Sequence, residues 1–261
     1  MKPIVVKKPY LTGAIYDSTV MKSALLIMGS LFVTAVLYLI VCGMMIFDSL
    51  ILRILLNGLI VAVTLAMFFY SGMSNGSIAV NQGEIMFHRR ETGAEITPAE
   101  LSRCFHPLKG FLIGLIGSIP LLLCALILAF MARLQTTGLG ALPTWVHSLT
   151  PREEVGLALS YYSIPAPIGL EGIVRLIVRM CIMPFVNMVG SGNASGLLLL
   201  ERLSPLVVLF PALAYGFGYS RGVTVRTRVH SDIAMNAQRR RKKARKAKRK
   251  AAEPKGPEAL N

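Results

Sequence analysis

Long apolar stretches without charged residues recur along this chain. They cover residues 23–47, 54–73, 110–132 and 204–220. A helix of about 20 apolar residues is long enough to cross the hydrocarbon core of a bilayer. The pattern therefore predicts an all-α integral membrane protein with about four transmembrane helices, in a membrane domain that covers residues 23–220.

The polar segment 74–109 separates the second and third predicted spans. Its sequence "SIAVNQGEIMFHRR" is typical of two short strands around an Asn-Gln-Gly turn. Thr97, Pro98 and Glu100 then have the spacing of a helix N-terminus with a capping box. We expect a small cytoplasmic module, a β-hairpin followed by a short helix, that rests on the membrane domain because it is too short to hold a core of its own.

Small residues lie on nearly one face of the third predicted span, at Gly110, Gly114 and Gly117. Such residues let membrane helices approach each other closely. They predict tight packing, either inside the bundle or against another membrane subunit.

A charged segment interrupts the apolar sequence before the last predicted span. Glu171, Arg175 and Arg179 are spaced four residues apart and would form one polar stripe on a helix. The apolar residues of 173–190 favour insertion by about 3–5 kcal/mol, and each central arginine costs about 2.5–3.5 kcal/mol. These opposing contributions nearly cancel, so energy alone does not decide whether the segment spans the membrane.

The distribution of positive charge favours a segment that does not span. Positive residues concentrate in the lead 1–22, in the module 74–109 and in the tail 221–261, which predicts that all three are cytoplasmic. This requires an even number of crossings, so we expect four spans and an outer loop, 133–200, with an amphipathic or re-entrant segment. Five spans, with the stripe facing the bundle, and six spans remain alternatives. The first apolar run is too long for a cleavable signal peptide, which fits a bacterial plasma membrane.

The tail carries most of the net charge of the chain. Residues 221–261 contain 14 Lys or Arg and three acidic residues, whereas residues 1–220 contain 14 and ten. Ten basic residues fall within the twelve of "RRRKKARKAKRK". We call residues 239–250 the polybasic run; its basic residues are Arg239, Arg240, Arg241, Lys242, Lys243, Arg245, Lys246, Lys248, Arg249 and Lys250. Because like charges repel, we expect a disordered tail.

Two kinds of partner suit the polybasic run. Anionic lipid headgroups attract each Lys or Arg near a membrane surface by about 1 kcal/mol. The alternative is a polyanion such as the ribosome. The run resembles the basic C-terminal tails of YidC-type membrane insertases, which dock translating ribosomes; the resemblance covers about a dozen residues and implies no functional residue elsewhere. No aromatic residue is interleaved and no base-reading motif occurs, so we expect no sequence-specific nucleic-acid binding.

Catalytic and metal-binding patterns do not stand out. The four histidines, His88, His106, His147 and His230, are scattered, and none of the four cysteines forms a closely spaced pair. We therefore expect neither enzymatic activity nor a cofactor. Two hypotheses follow: a membrane scaffold or accessory subunit that uses its basic tail, or a transporter or channel subunit with Glu171, Arg175 and Arg179 on the solute path.

Overall fold

The computed structural model describes residues 6–44, 47, 49–133, 155, 169–190 and 193–252. Within these residues the chain is helical, without strands. The helices are α1 (Ser18–Met44), α2 (Leu50–Glu91), α3 (Pro98–Ser102), α4 (Lys109–Met131), α5 (Leu170–Cys181), α6 (Met183–Val189), α7 (Ala194–Ser220) and α8 (Gly222–Ala252). The predicted outer loop lies largely outside the described residues.

Four helices of the described part are long and apolar enough to cross a membrane: α1, α2, α4 and α7 continued by α8. The prediction of a multi-span, all-α membrane protein is thus confirmed at this level. α4 packs against α7 and α1, and α2 packs against α7. The core lies where these helices meet, around Ile27, Phe68, Ile113 and Tyr215.

The predicted β-hairpin in the module 74–109 is wrong, because α2 continues as a helix to Glu91. Ala79, Val80, Gly83 and Met86 are buried, and their spacing places them on one face of a helix rather than alternately on a strand. Gly83, which suggested a turn, is inside the helix. A β-carbon there would lie 2.6 Å from the Leu11 carbonyl oxygen, so the glycine permits close approach of another segment.

The short helix of the module begins as its sequence indicates. Thr97 accepts a hydrogen bond from the Glu100 backbone N–H, and the Glu100 carboxylate accepts one from the Thr97 N–H. Both halves of the predicted capping box are therefore present at the start of α3.

The last membrane helix begins ten residues before the predicted start at 204. The Asn193 side chain accepts a hydrogen bond from the Gly196 N–H and caps α7. Ser204 and Pro205, which suggested a helix start, lie inside α7, and the Ser204 hydroxyl donates to the Glu201 carbonyl at 2.7 Å. The earlier start adds Glu201 and Arg202 to the helix.

The glycines of α4 face other helices of the same chain. Gly114 lies against Ala212 of α7, where an added β-carbon would be 2.7 Å from the Ala212 carbonyl oxygen. Gly117 faces α1, with the Ala24 carbonyl oxygen at the same distance. Gly110 is covered by the Tyr219 ring. These contacts account for the small-residue pattern by packing within the bundle.

The charged segment forms α5, which meets α6 at a bend of 90°. The twelve residues of α5 measure about 18 Å and the seven of α6 about 10 Å along their axes. A hydrocarbon core of about 30 Å is thicker than either helix is long. This geometry suits an interfacial or re-entrant element, although the pair taken as one broken span would raise the number of candidate spans to five. The four-span prediction stays a prediction.

Candidate functional site

The long helix α2 and the α7–α8 pair run side by side in the same direction. Hydrogen bonds join Asn75 to Tyr215, Asn81 to Arg226 and Glu84 to His230. The residue numbers of the bonded partners thus increase in the same direction along both helices. The sequence separation of these pairs is 140, 145 and 146 residues. The two helices are therefore parallel neighbours over several turns.

Glycines allow this parallel pair to pack closely. A β-carbon at Gly72 would collide with the Tyr215 carbonyl oxygen, and one at Gly76 with the Tyr219 carbonyl oxygen. Across the interface, a β-carbon at Gly218 would meet the Phe69 carbonyl. Small residues at such spacing let helix backbones approach within van der Waals distance.

We call residues 77–91 of α2 and 222–236 of α8 the stalk, because both helices continue together past the apolar bundle. Glu84 joins them: Arg226 Nε donates to Glu84 Oε2 at 3.0 Å, and His230 Nε2 lies 2.9 Å from both carboxylate oxygens. Arg226 also donates to the Asn81 side-chain oxygen. Only 8% of the His230 side chain is exposed, so this polar cluster lies inside the stalk.

The N-terminal segment and α3 brace the base of the stalk. The Val6 N–H donates to the Ser231 hydroxyl at 3.1 Å, and the Leu11 N–H donates to the Gly83 carbonyl at 3.1 Å. Phe105, which follows α3, stacks on Tyr219 with ring centroids 5.5 Å apart. These contacts join the N-terminal segment to α8 and α2, and Phe105 to the end of α7.

The polybasic run lies on α8, which is helical through Ala252; the predicted disorder of the tail stays a prediction. The first half of α8 is ordered by its contacts with α2. In the second half, Lys, Arg and Ala all have favourable helix propensities, which offset some of the repulsion between like charges. Residues 253–261 of the predicted tail lie outside the described part of the chain.

The polybasic run extends past the end of α2. With a sequence separation near 146 residues, the last residue of α2, Glu91, lies at the level of about residue 237 of α8. The side chains of residues 239–245 are exposed. The first seven residues of the run, six of which are basic, are therefore exposed, and α2 does not lie beside them.

The stalk also separates the polybasic run from the apolar part of the bundle. The uncharged sequence of α4 begins at Gly110, which lies against Tyr219, so both residues are near the edge of the apolar region. Arg239 follows Tyr219 by 20 residues, about 30 Å along a helix. At physiological ionic strength charges are screened over about 8 Å. A stalk that stands out from the membrane would keep the run beyond electrostatic reach of the headgroups around it.

A second cluster of charges lies at the opposite end of the bundle and contains all three residues of the predicted polar stripe. Arg175 donates to Glu171 at 2.9 Å and, through Nε, to Glu201 at 3.1 Å. Arg179 donates to the same Glu201 oxygen at 3.0 Å from Nε and 2.6 Å from Nη2. Glu201 is almost completely buried, with 2% of its surface exposed.

Glu201 is absent from the predicted polar stripe, because the last span was predicted to begin at residue 204. The sequence feature that could have revealed it is a single acidic residue in the mostly apolar stretch 194–203, directly before the predicted span. With Glu201 included, two carboxylates balance two guanidinium groups. The cluster therefore carries no net charge and clamps α5 to α7.

The described residues contain no group of three or more His, Cys, Asp or Glu side chains that could hold a metal ion. All four cysteines are free thiols, and burial raises the pKa of Cys104, which lies between α3 and α4. A thiol with a raised pKa is less nucleophilic at neutral pH because less of it is ionised. Cys104 is therefore a poor nucleophile at neutral pH.

Comparison with known proteins gives no relative from which a function could be transferred. No family model, no curated protein and no solved structure matches this chain.

Proposed function

We propose that this protein is a non-enzymatic membrane scaffold or accessory subunit that holds a polyanionic partner, such as the ribosome, through the polybasic run. The position of the run on a helix beyond the end of α2 carries this proposal. Ten of the twelve residues of the run are Lys or Arg, so a helix of about 3.6 residues per turn carries positive charge around its whole circumference. Phosphate-rich surfaces bind such charge strongly through release of counterions.

Distance from the membrane favours a partner in solution over the surrounding lipid. A stalk of about 30 Å places Arg239 several screening lengths from the apolar edge, where each cation would gain little from anionic headgroups. If the run served only to attract lipid, a short connection after Tyr219 would place it closer to the surface. Contact of the run with anionic lipid is the alternative, and a fluorophore within the run distinguishes it from binding to a partner in solution.

Removing the positive charge of the run should abolish partner binding while the protein stays inserted. We expect the variant with all ten Lys and Arg of residues 239–250 changed to Gln to bind purified ribosomes or duplex RNA at least about a hundredfold more weakly in low salt, because several phosphate contacts are lost. Gln keeps a favourable helix propensity. Sedimentation of protein in nanodiscs with ribosomes measures this.

A charge-preserving variant, with every Arg of the run changed to Lys, is the matched control and should retain binding. A fluorophore on a single cysteine at Ala244, in a cysteine-free background, reports contact with lipid. The wavelength of its emission maximum should be the same in zwitterionic and in anionic nanodiscs. Unchanged ribosome binding by the Gln variant would contradict the proposal, and a blue shift confined to anionic nanodiscs would favour the lipid alternative.

The orientation of the chain can be tested independently. We propose a plasma membrane location with both ends of the chain in the cytoplasm, supported by the positive charge of the lead 1–22, the segment 74–109 and the tail 221–261. A cysteine at Ser195, in the cysteine-free background, should then react with an impermeant thiol reagent in intact cells. A cysteine at Ala251 should react only after permeabilisation. Protection of both positions until the membrane is opened would show that the span count is different.

The transporter or channel hypothesis places Glu171, Arg175 and Arg179 on a solute path. Both guanidinium groups are paired with carboxylates that join α5 to α7, which suits a structural clamp, while Glu201 Oε2 is buried without a hydrogen-bond partner among the described residues. The scaffold proposal therefore takes precedence.

A further inference from the structure

A groove lies between α1 and α2 at the end of the bundle next to α3. Its cavity volume is about 460 Å³, within the range of about 300–1,000 Å³ that is usual for sites of small molecules. α1 and α2 form its two walls, and Lys109, Ile113, Tyr215 and Tyr219 form its floor. The groove lies beside the apolar edge marked by Gly110 and Tyr219, and it extends along the first turns of α1 and the second half of α2.

Polar side chains repeat along both walls. They are spaced by four and seven residues, which places them on one face of each helix. On α1 they are Thr19, Ser23 and Ser30, and on α2 they are Ser71, Asn75 and Gln82. Polar groups that face hydrocarbon lose hydrogen bonds to water, so such faces in membrane helices normally line a polar or hydrated space. The groove is therefore suited to a ligand with polar groups.

Two cations lie at the end of the groove next to α3, one at its rim and one at its floor. Arg103 is exposed at its rim, whereas Lys109 is 3% exposed and donates to the Ser102 carbonyl at 2.8 Å and to the Thr19 hydroxyl at 3.4 Å. An ammonium group has three N–H donors, so one remains for a ligand. Asp17, whose charge acts on Lys109, stays ionised: desolvation opposes its charge, but hydrogen bonds from Ser102, Thr19 and Ser18 outweigh it and lower its pKa to about 2. One positive charge is in excess.

Apolar side chains complete the lining on the side that faces outward. Leu26 is 76% exposed and Ile78 56% exposed, at the lips of the two walls. Ile27 and Ile113 lie deeper and are buried. A ligand here would therefore meet positive charge at one end, hydroxyls and amides along the walls, and aliphatic surface at the lips.

We propose that the groove binds one anionic phospholipid, with its phosphate near Arg103 and Lys109 and an acyl chain against Leu26 and Ile78. A small soluble anion would satisfy the cations but would leave the aliphatic lips exposed. A neutral lipid would cover the lips but would leave the excess positive charge without a partner. This site lies about 30 Å from the polybasic run and does not depend on it.

Native mass spectrometry of the full chain, released from nanodiscs of phosphatidylglycerol and phosphatidylcholine in equal amounts, tests the proposal. We expect one retained phosphatidylglycerol per protein. Arg103→Gln should lower the retained fraction about fivefold, because one cation near the headgroup is lost. Ser71→Trp, which fills the groove, should abolish retention. Arg103 is exposed, so its loss leaves the core intact.

Three matched variants serve as controls. Arg90→Gln removes an exposed cation of the same end that does not line the groove, Ser71→Ala alters the wall without filling the cavity, and the ten-Gln variant removes the polybasic run. All three should retain the lipid. Equal retention of both lipids by the unaltered chain, absence of any retained lipid, or retention that Arg103→Gln and Ser71→Trp leave unchanged would overturn the proposal.

Discussion

Changing Glu201 to Gln should destabilise the protein by about 3–5 kcal/mol, the cost of removing one partner from a buried ion pair. One Glu201 oxygen accepts hydrogen bonds from both Arg175 and Arg179, and the carboxylate is 2% exposed. Gln has the same size but no charge, so two guanidinium groups would share one weaker acceptor. The midpoint of thermal unfolding in detergent measures the effect.

Two comparisons separate the effect of losing the Glu201 charge from a general sensitivity of that end of the bundle to substitution. Glu171→Gln also removes a carboxylate bonded to Arg175, but the Glu171 side chain is 41% exposed. Exposed pairs contribute about 0–1 kcal/mol, so this variant should unfold close to the unaltered protein. The triple variant Glu201→Leu, Arg175→Met and Arg179→Met removes every buried charge together and should regain much of the lost stability. Coincident midpoints for E201Q and E171Q would refute the clamp.

Changing both Gly72 and Gly76 to Ala should destabilise the parallel helix pair by about 2–6 kcal/mol, from the usual overpacking cost of about 1–3 kcal/mol at each site. The added β-carbons would collide with the carbonyl oxygens of Tyr215 and Tyr219. These atoms are backbone, so only separation of α2 from α7 can make room. Equilibrium unfolding of the purified protein measures the loss.

The same pair of substitutions elsewhere in the chain provides the control. Gly29 and Gly43 of α1 have no atom within 4 Å of an added β-carbon. Alanine there should stabilise the helix by up to about 1 kcal/mol per site, since Ala has the higher helix propensity. Changes of opposite sign in the free energy of unfolding of the two double variants would show that the contact of α2 with α7 causes the destabilisation. Equal effects of the same sign would show that it is not.

The stalk shows where prediction from the sequence failed. The stretch around Asn81, Gln82 and Gly83 has the local character of a turn, and local propensity favours ending a helix there. The helix continues because α8, the N-terminal segment and the aromatic residue Phe105 pack against it. The partners of Glu84 are about 145 residues away, so no local pattern could reveal Arg226 and His230 as its neighbours.

The sequence by itself determined that this chain is a multi-span helical membrane protein, because runs of about 20 apolar residues have few stable alternatives in a bilayer. It also determined the start of α3 at Thr97 and the concentration of positive charge in residues 239–250, since both depend on neighbouring residues alone. Only the tertiary structure decided that α2 and α8 form a stalk, that Glu201 joins Arg175 and Arg179, and that a polar groove separates α1 from α2. Each of these depends on the relative rotation and register of distant helices, which side-chain packing sets after the helices have formed.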